Sequence, residues 1–506
     1  MAPSRLAAAA VAVAFLATAC PDAAPAPPRE RPPPAGTLRL GYPEEPPTLN
    51  PVTEAAPAAT DILRAVLPSF FLITPNLRYR PYLLAVQPEV RREGGRMEVR
   101  FRIRADARWS DGRPITTRDV AFTWGVMADP DLEVARPQGF DHVRDVTRES
   151  ATTGTLVLEP PLATWRDLFS AGRFVLPAHA SDDVADWDRG PPVTAGPFTL
   201  GRWEPGRSVM LEADGRFFGD RPLVHRIEVA FVPDPTTAIQ LLEAGLVDAV
   251  APMLGVAWSR RLRRVPGAEV SGAFGADLVH LVLNASSVPS AGDRRRIADA
   301  IDRQRFVDVV VRDEGRPAHG VLAPEQGGAV AAWRRYGGEQ AGPEEADELS
   351  LVYQRTELLD LLARFVHLEL QAAGVDVELV PVEGDELWGA FIPQRRFDLA
   401  IVEWRGGPSP DLSPWVRMPG AAAPLTNLRD APTARLGARV ARGEPGALEE
   451  AQGRLAELVP VLPMFQPRTA MAWRAGITGL ATNPSVDGPL WNAWAWSKVA
   501  AASEAA

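Results

Sequence analysis

The six histidines, His142, His179, His225, His280, His319 and His367, are the side chains best suited to proton transfer or metal ligation near neutral pH, and they are scattered. No two stand four residues apart or in H-x-H order, so no helix face or strand presents a pair to one ion. The single cysteine, Cys20, excludes thiolate zinc sites, and the only lysine, Lys498, lies too near the C-terminus for a catalytic role. Also missing are the phosphate-binding G-x-x-x-x-G-K-[ST] and G-x-G-x-x-G loops, the H-E-x-x-H zinc helix and the G-x-S-x-G nucleophile elbow. No catalytic residue, metal site or cofactor is expected. Binding is the chemistry that remains.

The place of Cys20 suggests what it does. Upstream, Arg5 supplies a positive region and Leu6 to Ala19 an unbroken run of small and apolar residues, the layout of a secretory signal. The run is shorter than the roughly 20 apolar residues that cross a bilayer. Ala17, Thr18 and Ala19 before Cys20 resemble the lipobox of bacterial lipoproteins, in which the cysteine thiol is lipidated; the departure is Ala17 where leucine is commoner. The other reading is an ordinary cleavage site with a cysteine beside it. After Cys20 comes PDAAPAPPRERPPPAG, dense in proline and poor in large apolar residues, which reads as an extended tether of about 3.1 Å per residue. The expected address is extracytoplasmic, with the chain anchored to a membrane by lipid.

The rest is too long for one compact core and suits two or three lobes. Hydrophobic residues make up 46% and charged residues 23%, the balance of a soluble globular protein. A net charge of −10 argues against a nucleic-acid partner, which calls for a basic stripe.

The elements read as mixed α/β. TLRLGYP (37–43) is a short strand, and MEVRFRIR (97–104) alternates, with Met97, Val99, Phe101 and Ile103 on one face. Ser110-Asp111-Gly112 has turn chemistry, and Thr116 with Asp119 forms a variant capping box. In DPTTAIQLLEAGLVDAV, Asp234 caps a helix, Pro235 begins it and Gly245 ends it, before a strand around 247–250. The second half holds a βαβ unit: a strand at 348–354, a helix with Leu358, Leu361, Leu362, Phe365, Leu368 and Leu370 mostly on one face, Gly374 as its stop, and a strand at 375–382. A short helix around 387–391 and a third strand, FDLAIVEW (397–404), follow. Ligand crevices of such sheets lie beyond the strand C-termini, and Trp404 sits at one.

Six blocks in order, GTLRLGYPEEPPTLNP, ARWSDGRPITTRDVAFTW, TAGPFTLGRWEPGRSVMLEADGRFFGDRP, LVLNASSVPSAGDRRRIADAIDR, FDLAIVEW and LAELVPVLPMF, resemble the extracellular solute-binding proteins of bacterial ABC importers. The branch is the one with oligopeptide-, dipeptide- and nickel-binding lipoproteins, solute-binding protein family 5. The resemblance implies an α/β, bilobed periplasmic-binding-protein-like fold of type II, with an extra subdomain in the first lobe. Its spans would be a signal at 1–19, a tether at 20–36, lobe I at 37–270 with the subdomain at about 80–190, lobe II at 271–470, and a return to lobe I at 471–500. Trp109, Asp111 and Gly112, Thr194 to Phe198, and Asp214 to Phe218 correspond to scaffold turns of the family.

The resemblance also implies where ligand is held. Glu44 and Glu45 follow the first strand where relatives contact ligand; Trp388 and Arg395 match a stretch that lines the cavity; Trp404 stands where relatives place an aromatic wall. Peptide-binding relatives carry an aspartate a few residues after this tryptophan, paired with the peptide's ammonium. Here the sequence is WRGGPSPD, with Arg405, Gly406 and Gly407, and the first acid is Asp411. An ammonium buried without its carboxylate is strongly disfavoured, so with Arg395 and Arg405 as donors the expected ligand is neutral or anionic, or a peptide with a modified N-terminus. Free peptide, modified peptide, sugar and metal complex stay open as cargo. The implied function is the lipid-anchored binding component of an ABC importer, acting as a monomer that hands a peptide-like or other small solute to membrane permease subunits. The alternative is a secreted enzyme or sensory receptor that retains the fold.

Overall fold

The computed structural model describes residues 36–180, 183–252, 256–337, 348–418 and 421–498. The leader, Cys20 and the proline-rich tether lie outside the described residues. Among those described, no helix is long and apolar enough to cross a membrane.

The strand Thr37–Tyr42 pairs in parallel with Arg226–Phe231 on one side and Ala249–Val250 on the other. The helix between the latter two, Pro235–Glu243, starts as its sequence dictates: Asp234 accepts the Thr237 N–H at 2.7 Å and Pro235 takes the first turn. Gly245 follows the helix with φ +70°, a conformation open to glycine. Ser208–Ala213 and Phe198–Glu204 extend this part of the sheet outward as antiparallel strands.

Leu349–Gln354 pairs in parallel with Val377–Val382 and Leu399–Trp404, joined by the helix Glu357–Ala372 and a short helical segment over 384–394. The long helix buries most of the expected face, with Phe365 packed against the core, but leaves two of its leucines outside. Leu361 and Leu368 are 45% and 60% exposed, while Leu359, Ala363 and Val366 join Leu358, Leu362 and Leu370 inside. Positions 359, 362, 363, 366 and 370 follow the three-and-four spacing of one face, whereas 361 and 368, seven apart, form an outward row.

A four-stranded antiparallel sheet, Glu89–Glu93, Arg96–Arg102, Thr153–Leu158 and Val143–Arg148, lies apart from the main one. Met97, Val99, Phe101 and Ile103 all point inward with 1% exposure or less, so alternation sets the register. The helix Thr117–Met127 beside it opens with a full capping box, the Asp119 carboxylate accepting the Thr116 N–H at 2.7 Å.

Two large apolar cores result. The first runs from Leu38 and Leu40 through the four-stranded sheet to Leu490 and Trp496; the second gathers residues from Val279 to Phe465. The strand Val461–Arg474 serves both, with Val461, Leu462, Met464 and Phe465 in the second core and Met471 and Trp473 in the first. Along it the pairing partner changes from Leu278–Leu283 to Ala268–Phe274. At the change, the buried Gln466 side chain donates to the Gly275 carbonyl at 2.7 Å and to Glu325 at 2.9 Å, and accepts from Arg316 at 2.6 Å. The satisfied amide fixes two strands at the place where the cores are joined.

Candidate ligand cleft

Two parallel strands from different cores end close together. Thr37–Tyr42 delivers the Tyr42 hydroxyl, which donates to Asp61 on the helix Pro57–Val66. Leu399–Trp404 delivers Trp404 and, one residue on, Arg405. Arg405 feels Asp61, Tyr42 and Arg136 of the first core, and Asp277 and Glu403 of its own side, so its charge stands between the two walls.

A cavity of about 60 Å³ opens at this point, lined by Ala276, Leu322, Gln326, Trp404, Arg405 and Asp411 among others. It has room for only a few water-sized groups. Trp404 packs edge-on against Trp415 with ring centres 6.0 Å apart, and Trp415 lies 4.4 Å from the His280 ring. Burial pushes the His280 imidazole down to about 3, so it stays neutral and works as packing. Gly406 meets the link between the strands Ala268–Phe274 and Leu278–Leu283 so closely that a Cβ on it would stand 2.5 Å from the Ala276 carbonyl oxygen, while a Cβ on Gly407 would meet nothing within 4 Å. The loop is braced by Gln326, which accepts the Ala323 N–H at 2.9 Å and donates to the Gly407 carbonyl at 2.8 Å.

Several acids here are held in an unusual state. Burial raises Asp61 to about 7, against the pull of the Tyr42 hydrogen bond and of Arg405. Burial raises Asp277 to about 6, with Arg405 and the Gly406 N–H pulling the other way, and it also raises Glu403. Each carboxylate is poised to gain from a cationic neighbour.

Of the residues expected from sequence to bind, Trp404, Arg405 and Asp411 come together around the cavity. Asp411 accepts from the Ser413 N–H at 2.8 Å and its hydroxyl at 2.9 Å, so much of its capacity is already engaged. Glu44 is exposed and close enough to Tyr42 to raise its hydroxyl. Glu45 turns to the outer edge of the sheet, where it accepts from the Trp203 indole and the Gly206 N–H, both at 2.8 Å. Arg395 points its guanidinium at the carbonyls of Leu425 and Ala423, at 3.1 and 3.2 Å. Trp388 is 41% exposed on Leu387–Phe391 and does not line the Trp404 cavity.

Asp61, Asp277, Glu403 and Gln326 were not singled out by the sequence reading. A signal existed for three. Glu403 interrupts an apolar strand, Asp277 stands directly before the apolar run LVHLVL, and Asp61 falls on the inner face of a short amphipathic helix. Gln326 lies in a loop and carried no signal.

Comparison with known proteins agrees with this architecture. A profile of the family described as bacterial extracellular solute-binding proteins, family 5 Middle, matches residues 91–422, more than half of the chain. Protein XP55 of Streptomyces lividans is 28% identical over 63% of this chain and 58% of its own length, so the chain spans a little over half of that relative. The oligopeptide-binding protein OppA of Mycobacterium tuberculosis is 27% identical over 74% of this chain and 69% of its own. Among solved structures, the periplasmic EDTA-binding protein EppA superposes with a TM-score of 0.81 at 19% identity, covering 92% of this chain and 97% of that one. The oligopeptide-binding protein AppA from Bacillus subtilis, in complex with a nonapeptide, gives 0.74 at 19% identity over 92% and 99%. The fold is therefore the α/β fold of periplasmic binding proteins, and the chain belongs to family 5 of the bacterial extracellular solute-binding proteins.

Proposed function

We propose that this chain is the lipid-anchored binding component of an ABC importer, which captures a small peptide-like solute at Trp404 and Arg405 and delivers it to a membrane permease. The observation that carries the reading is the Arg405 guanidinium, which lines a cavity with Trp404, Gly406 and Gly407 while its charge reaches Tyr42 and Asp61 of the other core. An aromatic face, a guanidinium and several desolvated acids suit recognition, and they supply no nucleophile with a base beside it. Anchoring through Cys20, an extracytoplasmic address and action as a monomer belong to the same proposal and rest on the leader and tether.

The cleft changes the expected cargo. Only one of the two candidate arginines stands in it, and Arg405 shares the site with Asp277, Glu403 and Asp61. A zwitterion fits better than an anion: its carboxylate pairs with the guanidinium fork and its ammonium turns to Asp277 and Glu403. Gly407 leaves that role to acids elsewhere in the chain. Structural neighbours named for EDTA, agropinic acid and a nonapeptide show that the fold alone does not choose.

Calorimetry with matched short peptides that differ only in N-terminal acetylation tests this. Tighter binding of the free-amine peptide, lost in Asp277→Asn, is expected. Equal or tighter binding of the acetylated peptide would return the cleft to neutral or anionic cargo, and turnover of the peptide would favour a secreted enzyme.

A further inference from the structure

One residue of the loop that walls the cavity reaches the opposite core. Ser409 Oγ lies 2.7 Å from the Tyr79 hydroxyl oxygen, and Tyr79 donates its own proton to the buried Asp167 carboxylate. Tyr79 gives its one O–H to Asp167, and the Ser409 hydroxyl stands within hydrogen-bond reach of both the Tyr79 oxygen and the Asp167 carboxylate, so the three residues form one linked cluster across the seam. Hydrogen bonds linked in this way strengthen one another. Tyr79 packs against the first core, and Ser409 follows the last parallel strand of the second.

A second contact lies further along the same seam. The Ala163 N–H donates to the Ala441 carbonyl at 3.3 Å. Nearby, a Cβ on Gly443 would stand 3.2 Å from the Arg92 guanidinium and 3.4 Å from the Ala163 Cβ. Ser409 is also tied to the cavity: Gln326 donates to the Gly407 carbonyl at 2.8 Å and reaches the Ser409 carbonyl at 3.4 Å. A displacement of the glycine wall is thereby passed to the residue that spans the seam.

We propose that the Ser409–Tyr79–Asp167 cluster is a latch that holds the two cores together through the protein's own contacts, so that the cleft closes without solute and must break this latch to admit it. Its meaning as a gate rests on the solute-binding reading; the latch itself does not. In such a system the closed fraction sets the apparent affinity, and latch residues act as positioning residues.

Small-angle scattering of the full chain, stripped of solute by unfolding and refolding, tests the latch with no ligand present. The wild type is expected to be compact. Tyr79→Phe and Ser409→Ala should each lower the closing equilibrium constant about five-fold, the worth of one ordinary hydrogen bond, and raise the radius of gyration. Ser409 lies in a loop, so its alanine variant should keep the circular-dichroism melting curve of the wild type. One common radius for all three folded proteins would overturn the latch. Failure there leaves the solute-binding reading standing, since that reading is tested by a bound mass.

Discussion

On the wall built from the first core, two acids receive a tyrosine hydroxyl: Tyr42 donates to Asp61 and Tyr79 to Asp167. On the facing wall Asp277 is met by a backbone N–H from Gly406 and the field of Arg405, Glu403 by that field alone, and a glycine loop hangs on one glutamine. The first arrangement gives both acids a direct side-chain donor. The second leaves charge for an incoming group and, at Gly407, open space beside the backbone. On the proposed function, a cleft that grips and releases a solute would divide those tasks between the two walls.

The largest expected effect falls on the first wall. Asp61 is raised to about 7 from an ordinary value of 3.8, so the fold favours its protonated form. Its contribution is full below the ordinary value and is lost as pH rises from about 4 to about 7, by up to about 4 kcal/mol. Asp61→Asn should flatten this slope in urea-unfolding free energies measured across that window. An unchanged slope would mean that the acid is not held as described.

Smaller effects belong to the facing wall. Gly406→Ala should lower stability by about 1–3 kcal/mol, because its Cβ would meet the Ala276 carbonyl oxygen at 2.5 Å. Gln326→Leu removes the donor to the Gly407 carbonyl and should lower stability by about 1–2 kcal/mol in the same unfolding assay. Gly407→Ala, with open space around its Cβ, should stay within about 0.5 kcal/mol of the wild type. Equal losses at Gly406 and Gly407 would break the contrast between a packed and a free glycine. Gly407→Asp should fold as well as the alanine variant and strengthen binding of free-amine peptides in calorimetry.

How much of this could be read from the chain differs between the walls for a physical reason. Periodicity placed the strand through Met97 and Phe101, and cap chemistry placed the helices after Thr116 and Asp234, since both are local signals. The helix Glu357–Ala372 shows the limit: leucine alone does not say which face is inner, and Leu361 and Leu368 lie outside. In the cleft, Trp404 and Arg405 were legible from their place after a strand. The family resemblance put Arg395 and Glu45 beside them, yet their partners, Leu425 and Trp203, are fixed by tertiary packing. Tyr79, Asp167 and Ser409 are far apart in sequence and meet only when the two cores do.

On the proposed function, a small solute is held at Arg405. A native mass spectrum of the protein purified from its own host, beside Arg405→Ala prepared in the same way, tests it most directly. We expect a discrete low-mass adduct on the wild type that is lost or much reduced on the variant. An adduct of equal occupancy on both proteins would contradict the account.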